Sequence, residues 1–299
     1  MNSPVSMDKT CVQEISIAPS GDLFATVDSD AMVSVWSLEE HRRVVALNAL
    51  WSFGGQRLHL TNSPKPLVIT SSWSRGRAVA YDAITGENLW TVSIKHVQSI
   101  APISYLGSSQ LGFATDARGV QIRDVLTGAY LKNVAGIRKF FQSRHAPNCL
   151  LISRKKGIVF CAGADGPVLG ESFLVGFAVL DAAHNSNEAL LSEAGGPIRC
   201  FDPDGKERWR VCPPQKSHAL RVCWSEDLNA WLVLMYQYDE PNVGVKSLAI
   251  VNERGMSELF PLPTHATFAI ASDARTVIGG DGWVRAIPSG EIIWRFAEN

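Results

Sequence analysis

Histidine and cysteine are the residues best suited to hold a metal or to serve as acid, base or nucleophile, so their spacing decides which chemistry is open to this chain. The seven histidines, His41, His59, His96, His145, His184, His218 and His265, stand alone, with no HxH or HExxH spacing. A metal site would have to assemble from distant segments. The six cysteines, Cys11, Cys149, Cys161, Cys200, Cys212 and Cys223, contain no CxxC pair, and reduced, mostly buried thiols are expected. There is no GxSxG elbow, P-loop or GxGxxG, and Gly279, Gly280 and Gly282 read as a turn, not a phosphate cradle. No catalytic residue, cofactor contact or metal ligand is assigned, and the chain is read as a non-enzyme without a cofactor. Trp51, Trp73 and Trp283 offer ring faces for stacking a ligand, yet large aromatics equally pack structural units together, and packing is the preferred reading.

Composition narrows the partners. Of 299 residues, 46% are hydrophobic and 19% charged, enough to bury a substantial core, and the net charge of -1 gives no overall pull toward nucleic acid or an anionic membrane. The polar segment Met1 to Thr10 lacks a secretory pattern, and the longest apolar run, near Phe173 to Leu180, is too short to span a bilayer. The expectation is a cytoplasmic monomer that binds neither nucleic acid nor membrane.

The elements that would position any site are short alternating strands between turn residues, which is an all-β pattern. One unit recurs. Its clearest copy is Val79 to Trp90 (VAYDAITGENLW), where Asp82 opens a tight turn, Gly86 supplies a positive φ, and Leu89 and Trp90 re-enter a strand. Related copies begin at Val33, Val120, Val159, Arg199, Ala249 and Arg285. Anchors at Trp36, Tyr81, Arg123, Cys161, Phe201, Val251 and Ile287 recur at intervals of 36 to 50 residues, which fits the roughly 40 to 45 residues of a four-stranded propeller blade. The expectation is one domain over 1–299, a seven-bladed β-propeller of four-stranded antiparallel blades, with approximate blades 12–47, 55–95, 98–134, 136–170, 173–212, 218–260 and 266–297.

The first unit, ISIAPSGDLFATVDSDAMVSVW, resembles a WD-type repeat, and AYDAITGENLW resembles the tryptophan-docking motif of quinoprotein-like (PQQ-type) repeats. The second resemblance implies that a Trp from one blade packs on its neighbour, with Trp90, Trp209 and Trp294 at that position. No unit carries the Gly-His pair of a full WD repeat, and no adjacent-cysteine pair is present. The resemblances therefore imply fold more than redox activity. The first and last units can each supply four strands, so the ring is expected to close by side-chain packing without strand exchange, with Pro4 to Thr10 as the one segment that could add an edge strand.

Repetition also assigns turns to faces. Turns joining second and third strands should share one face, where Arg75, Arg77, Arg118, Arg154, Lys155 and Lys156 make a basic arc. Glu193, Asp239, Glu240, Asp281, Asp28 and Asp30 make an acidic arc, and a longer loop, Gln237 to Lys246, sets Tyr238 and Pro241 among the acids. Such a polarised face suits a protein partner, for example a toxin or effector whose active surface the disc covers. The alternative is a small-ligand or enzymatic propeller using the central channel, although first strands such as Ile15 to Ile17 and Val222 to Trp224 read as apolar.

Overall fold

Strands of three to eleven residues follow one another along the chain in runs of four, each strand hydrogen-bonded antiparallel to the next within its run. The computed structural model describes residues 12–48, 56–62, 65–72, 75–102, 109–115, 119–142, 149–153, 157–161, 168–172, 179–185, 187–193, 195–240, 243–263, 266–271 and 273–296. Among these residues the strands make seven four-stranded sheets. The first holds β1 (Val12–Ile17), β2 (Leu23–Asp28), β3 (Met32–Ser37) and β4 (Arg42–Asn48). The second holds β5 (Gln56–Leu60), β6 (Leu67–Ser72), β7 (Arg77–Asp82) and β8 (Asn88–Ser93). The third holds β9 (Val97–Pro102), β10 (Gln110–Thr115), β11 (Gly119–Asp124) and β12 (Tyr130–Val134). The fourth holds β13 (Ile137–Gln142), β14 (Cys149–Ser153), β15 (Gly157–Cys161) and β16 (Val168–Ser172). The fifth holds β17 (Val179–His184), β18 (Ala189–Glu193), β19 (Ile198–Phe201) and β20 (Glu207–Val211). The sixth holds β21 (Ser217–Ser225), β22 (Ala230–Glu240), β23 (Val243–Asn252) and β24 (Gly255–Leu262). The last holds β25 (Phe268–Ile270), β26 (Thr276–Gly279), β27 (Trp283–Ala286) and β28 (Ile292–Arg295).

The first strands form the hub. In order, β1 meets β5, then β9, β13, β17, β21 and β25, and β25 returns to β1. Apolar side chains fill the wedges between adjacent sheets: Val33, Val35 and Val79 lie in one wedge, Ile69, Phe113 and Trp90 in the next, and Leu232, Phe260 and Val277 in another. Burying such side chains contributes about 1.5–3 kcal/mol each.

The turns between third and fourth strands hold the wedges in register. Asp82 Oδ1 accepts the amides of Ile84 and Thr85 at 2.8 and 2.9 Å, and Asp124 Oδ1 does the same for Leu126 and Thr127 at 3.0 and 2.8 Å. Four residues beyond each Asp stands a glycine with positive φ, 76° at Gly86 and 68° at Gly128. Gly128 is also a landing place, because a Cβ there would come within 2.9 Å of Trp90 Cδ2. The Trp90 indole N–H donates to Val125 O at 3.0 Å, so the side chain crosses from the second sheet and docks on the third. Trp209, Phe260 and Trp294 occupy the corresponding place in their fourth strands, each paired with the third strand just before a bulge.

The ring closes between complete sheets, since β1 to β4 come wholly from the start of the described chain and β25 to β28 from its end. Phe24, Trp36, Trp294 and Phe296 interlock across the seam, with Phe24 and Phe296 ring centroids 5.0 Å apart and those of Trp36 and Phe296 5.2 Å apart. Thr267 Oγ1 donates to Gln13 O at 3.3 Å beside the hub. Pro4 to Thr10 lie outside the described residues.

Candidate interaction face and hub

Hydrogen bonds donated by backbone amides place the second-to-third-strand turns and the inter-sheet connections on one face. The Ile94 amide donates to Gly76 O, the Gly280 amide to Thr267 O, and the Gly195 amide to His218 Nδ1, at 2.9, 2.6 and 2.8 Å. Arg75 and Arg77 stand exposed on this face, one on either side of Gly76. Lys95 lies beside them, with its Cγ 3.0 Å from where a Gly76 Cβ would be, and exposed His96 follows it. The turn sequence alone did not reveal Lys95 and His96, because they belong to the connection to the next sheet. Arg118, Arg154, Lys155, Lys156, Trp51 and Trp73 fall outside the described residues.

The acidic arc needs correction. Glu193 is 9% exposed and forms an ion pair with Arg199 at 3.1 Å, so its charge is held inside the fifth sheet. Asp281 receives a forked pair of hydrogen bonds from Arg285, at 2.6 and 3.3 Å, and both side chains are largely enclosed. Asp28 Oδ1 is engaged by the amides of Asp30 and Met32, both at 2.9 Å. Among these four acids Asp30 is exposed and Asp28 is turned back on its own hairpin.

The segment Gln237 to Lys246, read above as a loop, is mostly strand. Gln237 pairs with Val245, Tyr238 with Gly244, and Glu240 with Val243, so β22 and β23 run on together as a hairpin. Asp239 and Glu240 thus lie in its outer end, and Pro241 falls outside the described residues. At ~3.4 Å per residue, the residues beyond Met235 carry this hairpin on the order of 15 Å past the ends of its neighbours.

Aromatic contacts order the hairpin's root. Tyr236 and Tyr238 meet edge to face at 4.5 Å, and His218 meets Tyr238 at 5.2 Å. Lys246 Nζ lies 5.8 Å above the Tyr236 ring and donates to Ala266 O at 2.5 Å, which ties the hairpin to the last sheet. Gly244 is required beneath this cluster, because a Cβ would fall 2.2 Å from the Tyr236 ring. Tyr238 remains 43% exposed on this rigid support, and Val245, paired with Gln237 and 39% exposed, faces the other side of the hairpin.

The hub differs from the apolar channel expected. Bulges at Val12/Glu14, Val179/Asp181 and Ala219/Arg221 bring Glu14, Asp181 and Arg221 to the position that Arg57 holds on β5. Each acid reaches the next sheet: Glu14 accepts the Leu58 amide, and Asp181 Oδ2 accepts the Val222 amide at 2.9 Å. Arg57 Nε donates to Gln98 O, and Arg221 lies 3.9 Å from Asp181. Burial pushes the Glu14 carboxyl up to about 7, with the Arg57 charge opposing the shift.

One layer deeper, Ser16 Oγ accepts the Leu60 amide at 3.0 Å. His59 is the counterpart of Ser16, but the counterpart of Leu60 in the third sheet is Pro102, which has no N–H to give. His59 Nε2 is accordingly buried without a hydrogen-bond partner, and burial holds the imidazole down at about 4. The hub charges are engaged in latching sheet to sheet. Among the described residues no group of three or more His, Cys, Asp or Glu is placed to hold a metal ion. Cys200, Cys212 and Cys223 are free thiols, and burial raises the pKa of Cys200.

A ring of four-stranded antiparallel blades around a hub of first strands defines a β-propeller. Solved structures similar to it in fold include a β-propeller domain and a set of WD40 repeats. The chain is similar to U3-55K, at 14% identity and a TM-score of 0.68 over 97% of this chain and 93% of that one. It is similar to the β-propeller domain of Cps50 (Swd1) from Myceliophteria thermophila, at 12% identity and 0.69 over 96% of each. It is also similar to the WD40 repeats of RRP9, at 14% identity and 0.65 over 96% and 91%. No family profile matches the sequence, and no curated protein is similar to it. At these identities the likeness is one of fold, a WD-repeat-like propeller.

Proposed function

We propose that this chain is a non-catalytic protein-interaction propeller, seven blades closed into one rigid disc, which receives a protein partner on the face carrying the Tyr238 hairpin. The observation that carries this reading is the extension of β22 and β23 past the disc, with Tyr238 exposed on one side, buttressed by His218, Tyr236 and Lys246, and Val245 exposed on the other. Rigid aromatics on a strand bind with little loss of side-chain freedom, which favours contact over solvation. Arg75, Arg77 and Lys95 add local positive charge on the same face, suited to steering an acidic partner. A toxin or effector covered by the disc is one partner this reading accommodates. The latched hub supports a structural use of the channel over the ligand-binding alternative.

The test is quantitative. Partners retained by the wild-type chain are identified and their affinities compared with those for Tyr238→Ala and Val245→Asp. Loss of affinity by tenfold or more at an unchanged melting temperature is expected, because both side chains are exposed. Wild-type affinity in both variants, for every retained partner, would remove the hairpin from the function.

A further inference from the structure

A second surface lies at the seam, away from the hairpin. The strands of the first sheet are six or seven residues long, whereas those of the last are three or four, so part of the first sheet's face has no opposing sheet. The result is an open groove of about 540 Å³ running along β3 from Arg42 and Arg43 at one end to Asp28 at the other. Thr26 and Ser34, 5% and 8% exposed, form its floor, and the Trp36 indole N–H is already committed to Thr26 Oγ1 at 3.0 Å.

The aromatic faces in and beside this groove carry cations. Arg43 lies 5.9 Å above the Trp36 ring, Arg295 lies 4.9 Å above Trp283, and His41 stacks on Trp294 at 5.2 Å and 12°. Arg42 has Glu40 at 2.6 Å, but neither Arg43 nor Arg295 forms an ion pair with a described residue. A guanidinium lying on a ring keeps its N–H edge free for a carboxylate, and the ring it covers is closed to a stacked base. This arrangement disfavours base stacking and leaves the guanidinium edges open to carboxylates.

We propose that the seam groove binds an extended acidic peptide segment of a partner protein. Its carboxylates would meet Arg43 and Arg295, and its backbone would lie along the Thr26 and Ser34 hydroxyls. The groove volume falls within the range of about 300–1,000 Å³ usual for ligand sites, and its length along a six-residue strand suits a peptide of similar extension. The site is independent of the hairpin reading, so either can fail alone.

The probe is a fluorescein-labelled octapeptide of glutamates around a central leucine pair, titrated by fluorescence polarisation into the full chain. Saturable binding that weakens with salt is expected. Arg43→Glu combined with Arg295→Glu, both exposed positions, should weaken it at least tenfold, and Lys206→Glu with Arg254→Glu, exposed in turns of the fifth and sixth sheets, should not. Ser34→Phe, which fills the floor and leaves every charge in place, should weaken it similarly, with circular dichroism confirming the fold. The proposal is overturned by any of three results: no saturation, equal loss in the Lys206/Arg254 variant, or tighter binding of a labelled oligouridine through the same arginines.

Discussion

Glu14 and His59 should tilt the stability of the propeller with pH in opposite directions. The Glu14 carboxyl is raised from 4.5 to about 7, so the folded chain holds a proton that the unfolded chain releases, and its contribution is fully present below pH 4.5 and lost as pH rises through 7. His59 is lowered from 6.5 to about 4, so its contribution is present above pH 6.5 and lost as pH falls through 4. Each slope is about 1.4 kcal/mol per pH unit, so across pH 4.5 to 6.5 the two cancel and wild type should be nearly flat on their account. His59→Gln should expose the Glu14 slope, a fall of up to about 3 kcal/mol over that window, and Glu14→Gln should expose the His59 slope, a rise of similar size. These are upper bounds, because Glu14 is only partly enclosed. Urea denaturation at half-unit pH steps reads the difference of each variant from wild type. Two single variants tilting in the same direction would refute the reasoning.

Three further outcomes follow from contacts described above. Gly128→Ala combines a left-handed backbone with a Cβ 2.9 Å from Trp90, and chemical denaturation should show a loss of about 2–4 kcal/mol. Trp90→Phe keeps most of the packing but leaves Val125 O without its donor, for a smaller loss of about 1–2 kcal/mol in the same assay. Asp281→Asn leaves Arg285 enclosed without its counter-charge, and the melting temperature should fall by an amount corresponding to about 2–4 kcal/mol, more than for Asp30→Asn on the open surface.

The propeller architecture was legible because its signals are local: alternating strands, an Asp that closes a turn on the amides behind it, and a glycine four residues on. Trp90 was legible for the same reason, since its docking depends on a spacing fixed within one hairpin. Charge placement was not. Asp281 and Arg285 are four residues apart, yet Asp281 sits in the hairpin turn and Arg285 on the strand that leaves it, so two apparent surface charges become a single enclosed pair. The hub was hidden by bulges. Simple alternation along Val12 to Ile17 gives no sign that one extra residue shifts Glu14 into line with Arg57 and Arg221. In Gln237 to Lys246, Asp239, Pro241, Asn242 and Gly244 all favour turns, and pairing across the hairpin overrode that preference at Asp239 and Gly244. Tyr236 and Tyr238, two residues apart, were the period-two clue to a strand.

The interlocked Phe24, Trp36, Trp294 and Phe296 have a consequence for how the chain may be cut. Because the first and last sheets are each complete, no hydrogen-bonded ladder among the described residues joins one to the other. The order in which the blades are threaded is separable from the ring they make. Joining the present ends by a short linker and opening the chain between any other two blades would sever no sheet, so circular permutants should fold to the same disc. The aromatic seam would then lie in mid-chain.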